Sequence, residues 1–142
     1  MKILYTANAT TTGGGRAHGH GRTDDGQIDV TLTTPKAMGG DGAPGTNPEQ
    51  LFAVAYSACY LGALKGAARR ETVKLPAEAS VTAHVSFADR EDGIGFAIVV
   101  ALDINLPGIA RADAERVVAT AHTICPWSWA LGNKVEVTST IV

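Results

Sequence analysis

The stretch TNPEQLFAVAYSACYLGAL, Thr46 to Leu64, decides how the rest of the chain is read. Asn47 is a strong N-cap, Pro48 suits the first helical position, and Gln50 stands where a capping box takes Glu or Gln. Glu49 in the first turn favours the helix dipole. A helix is therefore predicted from Asn47 to about Arg70, with Lys65, Arg69 and Arg70 at its C-terminal end. Its middle is apolar nearly all round, which marks a buried central helix. Ser57, Gly62 and Lys65 interrupt the apolar run, so a membrane span is not expected.

Upstream, Ile3 to Thr12 is rich in Thr, Ala and β-branched residues and reads as a strand, stopped by Gly13-Gly14-Gly15. Arg16 to Arg22 (RAHGHGR) is too glycine-rich for a helix and reads as a loop or irregular edge strand. Asp25-Gly26 signals a hairpin turn, and Ile28 to Thr33 alternates with Ile, Val and Leu inward. Pro35 to Thr46 is loop. Downstream, Val81, Ala83, Val85 and Phe87 alternate with polar residues, and Phe96 to Ile104 reads as a more buried second strand after the Asp92-Gly93 turn. Arg111 to Cys125 reads as a helix with Ile109, Val117, Val118, Ala121 and Ile124 roughly on one face. Pro126 ends or kinks it. Trp127 to Leu131 reads as a turn of helix, and Val135 to Val142 returns to the sheet. The order is strands, helix, hairpin, helix, strand. That is an α+β fold with segregated antiparallel sheets, one domain over residues 1–142.

Composition narrows the function classes. The 142 residues are 45% hydrophobic and 18% charged, with a formal net charge of −2. No basic excess points to nucleic acid or an anionic membrane. The opening MKILYTANAT has no apolar core of signal-peptide length, so a cytoplasmic protein is expected. The two cysteines, Cys59 and Cys125, are too few for a disulfide scaffold.

Those two thiols are the main chemical question. A cysteine in an apolar helix is most often an inert core residue. Against that, Cys59 lies among small residues (Ser57, Ala58, Gly62, Ala63) that let a substrate approach, and Cys125 precedes Pro126 at a helix end. Spacing alone does not decide whether the two meet. A reactive thiol needs a lowered pKa, for which Arg16 and Arg22 are candidate cationic partners or, equally, solvated loop residues.

Other chemistries have less behind them. His18 with His20, or His122 with Cys125, are conceivable metal ligands, but no CxxC or HExxH pattern accompanies them, so no metal is expected. GGGR is neither a dinucleotide nor a P-loop fingerprint, and no GxSxG elbow occurs. Trp127 and Trp129 are core or rim aromatics, or the lining of an apolar pocket beside Cys125.

The helix stretch resembles the organic hydroperoxide resistance (Ohr) branch of the Ohr/OsmC family. TGGGR (Thr12 to Arg16), DGIGFAIVVALDINLPG (Asp92 to Gly108) and AHTICPWS (Ala121 to Ser128) resemble further blocks of that family in the same order. The resemblance implies an OsmC-like fold with two central helices and an intertwined homodimer with its active sites at the subunit interface. It implies a thiol peroxidase that reduces organic hydroperoxides and is itself reduced by lipoyl groups of lipoylated proteins, with no bound cofactor. By motif position Cys59 matches the peroxidatic cysteine, Cys125 the resolving cysteine, Arg16 the active-site arginine and Glu49 its carboxylate partner. AHGHGR after Arg16, and Trp127 and Trp129 after the CP pair, depart from the family's usual wording. The roles of His18, His20 and Arg22 and the shape of the pocket are therefore open.

Chemistry fills in the cycle this resemblance implies. A Cys59 thiolate attacks the distal peroxide oxygen, Arg16 stabilises thiolate and leaving oxygen, and Glu49 orients Arg16 through a bidentate pair. The sulfenate then condenses with Cys125. Glu49 and Cys59 lie ten positions apart on one predicted helix, about 15 Å along its axis. One guanidinium does not reach both, so either the helix is broken between them or Glu49 comes from the other subunit. Pro48 and the near-continuous helical pattern favour the second, and a composite site is expected, with Cys59 and Cys125 from one chain and Glu49 and Arg16 from its partner. Leu51, Phe52, Trp127 and Trp129 are candidates for an apolar entrance that suits alkyl or lipid hydroperoxides. The alternatives are an OsmC-like peroxidase with other substrates and a non-catalytic member of the fold that binds a small apolar ligand.

Overall fold

Residues 1–132, 135 and 137–142 are described by a computed structural model. They group into two units, Met1–Leu51 and Phe52–Val142.

The first unit is a three-stranded antiparallel sheet in the order β1 (Ala9–Gly13), β2 (Gly19–Thr23), β3 (Asp29–Leu32). It differs from the sequence reading at both ends of β1–β2. The first strand starts at Ala9 because Ile3, Leu4 and Tyr5 stay 80–88% exposed and pair with nothing in the sheet. The glycine-rich RAHGHGR stretch supplies the central strand: β2 pairs with β1 from Gly13↔Gly19 to Ala9↔Thr23 and with β3 from Gly19↔Leu32 to Arg22↔Asp29. Glycine is required by close approach in the tight turn that leads into β2. A Cβ on Gly14 would lie 1.9 Å from the Ala17 carbonyl oxygen, and one on Gly19 2.0 Å from that of Gly15. Of the three residues expected to face inward, Leu32 is buried, Val30 half-buried and Ile28 exposed. The loop after β3 contains one 3₁₀ turn, Lys36–Met38.

Helix α1 (Pro48–Arg70) begins at the end of this unit. The Asn47 Oδ1 accepts from the Gln50 backbone N–H at 2.9 Å, the expected N-cap. The Gln50 side chain does not close a capping box on Asn47; its Oε1 accepts from the Thr46 hydroxyl at 2.8 Å.

The second unit packs α1 and α2 (Arg111–Ile124) against a sheet of β4 (Ser80–Asp89), β5 (Phe96–Asn105) and β6 (Val137–Ile141). The β4–β5 pair is antiparallel, and its register sets Val81, Ala83, Val85 and Phe87 opposite Ile104, Leu102, Val100 and Ile98. On β5 the core-facing Val100, Leu102 and Ile104 are fully buried. β6 corrects the all-antiparallel expectation: it runs parallel to β5. The chain leaves β5 through α2 and α3 (Pro126–Leu131), and a helical crossover returns it in the same direction. The expected strand start at Val135 lies beside residues outside the description, and β6 itself begins at Val137.

Tyr56, Tyr60, Leu64 and Ala67 of α1 meet Val117, Ala121 and Cys125 in this core, all without exposure. Helix α1 is not covered all round, as its composition suggested. Val54 is 69% exposed, and Ala58 and Gly62 continue the same open stripe. By length and hydropathy alone α1 is long and apolar enough to cross a membrane, so Ser57, Gly62 and Lys65 do not disqualify it. Its buried Tyr56–Tyr60–Leu64–Ala67 face is that of a core helix.

Candidate active site

Two constellations form, one in each unit. In the first, the turn between β1 and β2 carries Arg16 near its tip. The Arg16 guanidinium donates to both oxygens of Glu49, Nη2 to Oε1 at 2.6 Å and Nη1 to Oε2 at 3.4 Å. Such a fork fixes the plane of the guanidinium as well as its position. Glu49 is 11% exposed and Arg16 36%, so the carboxylate is the more deeply held member of the pair. Nη1 also lies 4.0 Å from the Met38 sulfur on the 3₁₀ turn. Arg22 does not join this pair. It stands 3.5 Å from Asp29, which His20 contacts at 2.7 Å, while His18 faces Asp41 at 3.9 Å.

In the second unit, Cys59 and Cys125 meet. Their sulfurs lie 3.8 Å apart and both thiols are free. Cys59 projects from the middle of α1, partly buried. Cys125 sits at the corner where α2 stops and α3 starts, with extended backbone (φ −72°, ψ 120°), and its side chain is wholly buried. Pro126 makes the corner: it cannot continue α2, yet suits the first position of α3.

The electrostatics of Cys59 oppose the expected low pKa. Burial pushes the thiol up, the neighbouring Cys125 adds to that, and only the Trp127 backbone N–H aimed at the sulfur acts downward. No cation is among these influences. Burial likewise raises Tyr60 and Tyr56 and, through the same cause, lowers His122.

The aromatic candidates separate. Phe52 and Trp127 pack with ring centroids 5.0 Å apart, and each lies within 6.4 Å of the Tyr56 ring, so these three form one apolar wall. Trp129 stands 71% exposed, away from that stack, and Leu51 at the start of α1 is also exposed. Among the described residues no three of His, Cys, Asp and Glu come together as a metal site would require.

One part of the site escaped the sequence reading. The Tyr56 hydroxyl lies 2.9 Å from Ser128 Oγ, Ser128 Oγ lies 3.4 Å from His122 Nδ1, and His122 Nε2 lies 2.8 Å from Ser139 Oγ. The available signal was spacing: His122 and Ser128 stand three residues before and after Cys125, and Tyr56 three before Cys59.

Residues 39–140 match the family model described as OsmC-like protein. The chain belongs to the OsmC family. Within it, the chain falls in the organic hydroperoxide resistance branch. It is 44% identical over 140 residues to the organic hydroperoxide resistance protein of Xanthomonas axonopodis pv. citri, covering 99% of this chain and 96% of that one. Among OsmC-family folds, the crystal structure of OhrB of Bacillus subtilis superposes with a TM-score of 0.88 at 37% identity, covering 99% of this chain and 100% of that one. The organic hydroperoxide resistance protein of Elizabethkingia anophelis gives 0.90 at 40% identity, covering 99% and 98%.

Proposed function

We propose that the protein is an organic hydroperoxide reductase working through a Cys59–Cys125 dithiol cycle. The observation that carries this reading is the 3.8 Å separation of two free sulfurs, one partly accessible and one buried. The Cys59 thiolate attacks the distal oxygen of ROOH, the O–O bond breaks, and the alkoxide leaves as ROH after taking a proton. Cys59 is now a sulfenic acid. The Cys125 sulfur displaces its hydroxyl, forming the disulfide and releasing water. An external dithiol then reduces the disulfide by exchange, delivering both electrons in one encounter. A lipoylated protein is the donor that the family resemblance suggests. Two free thiols this close fit a reducing compartment, hence the cytoplasm.

The remaining need is a cation, since the surroundings of Cys59 in its own unit raise the thiol pKa. Arg16, held by Glu49 and partly exposed, is suited to lower it and to stabilise the departing oxygen. Helix α1 runs unbroken from Pro48 to Arg70, which supports an axial offset of about 15 Å between Glu49 and Cys59. The Arg16–Glu49 pair therefore serves Cys59 of a partner chain in a homodimer. The exposed stripe Val54, Ala58 and Gly62 and the exposed Ile3, Leu4 and Tyr5 are apolar surface that such a partner would cover.

The Phe52–Trp127–Tyr56 wall favours alkyl or fatty-acid hydroperoxides over hydrogen peroxide. Mass spectrometry after one equivalent of an organic hydroperoxide tests the cycle: a loss of two hydrogens linking Cys59 to Cys125 is expected. Peroxide consumption surviving in Cys59→Ser would sink the reading. Equal rates with hydrogen peroxide would remove the substrate argument alone.

A further inference from the structure

The sulfurs of Cys59 and Cys125 must close by roughly 1.8 Å to bond, since a disulfide spans ~2.05 Å and they stand at 3.8 Å. Cys59 belongs to a 23-residue helix whose neighbouring Tyr56 and Tyr60 are locked in the core. Cys125 sits at a two-helix corner with no helical backbone of its own. How the corner is held therefore governs the approach.

Four side chains hold it. Tyr56 lies on α1, one turn before Cys59. Ser128 lies on α3, His122 on α2 and Ser139 on β6. Donation along the set satisfies it in either direction. In one order Tyr56 O–H donates to Ser128 Oγ, Ser128 O–H donates to His122 Nδ1, and His122 Nε2–H donates to Ser139 Oγ, at 2.9, 3.4 and 2.8 Å. This order requires a neutral imidazole, which burial favours. The Tyr60 ring, 4.7 Å from the imidazole, fixes it from the α1 side.

We propose that Tyr56, Ser128 and His122 are positioning residues that clamp the α2–α3 corner against α1 and so set the rate at which Cys125 closes on Cys59. The inference rests on the dithiol cycle proposed above. In the step concerned, the S–S bond forms as the S–O bond of the sulfenic acid breaks, and the Cys125 proton leaves with the hydroxyl as water. The electrons have already gone to the hydroperoxide, so the step needs no further oxidant.

The test is a pair of measurements on the full-length chain with Ser128→Ala, Ser128→Thr and Tyr56→Phe. Rapid-quench mass spectrometry after one equivalent of cumene hydroperoxide separates sulfenate formation from disulfide formation. The Cys59–Cys125 equilibrium in a glutathione redox buffer gives the effective concentration of one thiol at the other without any peroxide. Ser128→Ala should leave sulfenate formation within about twofold, slow ring closure about tenfold and lower the effective concentration. Ser128→Thr, which keeps the hydroxyl, should restore both, which general destabilisation would not do. If Ser128→Ala does not fold, Tyr56→Phe, which keeps the ring in the core, is read in the peroxide-free redox buffer alone, where it should lower the effective concentration. Unchanged closure and unchanged effective concentration, or equal slowing of both steps, overturns the proposal. If cumene hydroperoxide oxidises nothing while the redox-buffer equilibrium still depends on Ser128, the peroxidase reading fails and the clamp stands.

Discussion

Cys59 and Cys125 hold their sulfurs 3.8 Å apart across the corner between α2 and α3, near contact yet unbonded. Van der Waals contact without a bond is the geometry of a pair that can open and close. It also makes the two thiols chemically unequal, because Cys59 is only partly buried and Cys125 is fully buried.

That inequality predicts different failures. Cys59→Ser should lower hydroperoxide turnover by several orders of magnitude, to background. Cys125→Ser should still consume one equivalent and then stall as a sulfenic acid, which a dimedone adduct detects. Further hydroperoxide should drive it to sulfinic and sulfonic acids. An unmodified thiol in Cys125→Ser after treatment would contradict the assignment of Cys59 as the attacking sulfur.

The pKa of Cys59 makes a second case. Burial and Cys125 raise it above the ordinary thiol value, and Arg16 is proposed to bring it back down. Activity through the thiolate rises with pH as the thiol ionises. In Arg16→Ala the inflection should therefore move to higher pH, and turnover at neutral pH should fall about 100-fold or more. The ultraviolet absorbance of the thiolate across a pH titration reads the shift directly. An unmoved inflection would take Arg16 out of the thiol's field.

Complementation tests the composite site. Arg16→Ala and Cys59→Ser chains should each be inactive as homodimers. Refolded together, a mixed dimer carries one intact set: Cys59 and Cys125 from one chain, Arg16 and Glu49 from the other. About a quarter of the wild-type activity is expected from a statistical mixture with one working site per mixed dimer. No recovery in a mixture shown to contain mixed dimers would place all four residues on one chain.

His122 supplies a pH dependence of stability. Burial lowers its folded pKa below the ordinary 6.5, so across that window the unfolded chain binds the extra proton. Its contribution is then fully present above about 6.5 and is lost as pH falls through the folded value. The Tyr60 ring, Ser128 and Ser139 face the imidazole, and burial is what disfavours its charged form. The urea midpoint should drop with falling pH in this range, and His122→Gln should flatten that slope.

Much of the fold was legible because it depends on short-range pattern. Pro48 and the Asn47 cap placed the start of α1, and alternation placed β4. The misses came where pairing overrides pattern. Ile3 to Tyr5 look like a strand yet find no neighbour in the sheet, and RAHGHGR reads as a loop or irregular edge strand yet its second half, from Gly19, pairs on both sides as the central strand. The parallel β5–β6 pairing depends on how a helical crossover returns, which no local window contains.

Sequence alone singled out the candidates for chemistry: two thiols, an arginine in a glycine turn and a carboxylate in a helix's first turn, together with the family. These are properties of residue type, order and local spacing. It took the tertiary structure to decide that residues 66 positions apart become a contact pair and that Tyr56, Ser128 and His122 bracket the Cys125 corner. The physical reason is that hydrogen-bond partners and burial are set by packing. The same packing raises the Cys59 pKa above the ordinary thiol value, and for that reason a second chain's cation is proposed for it.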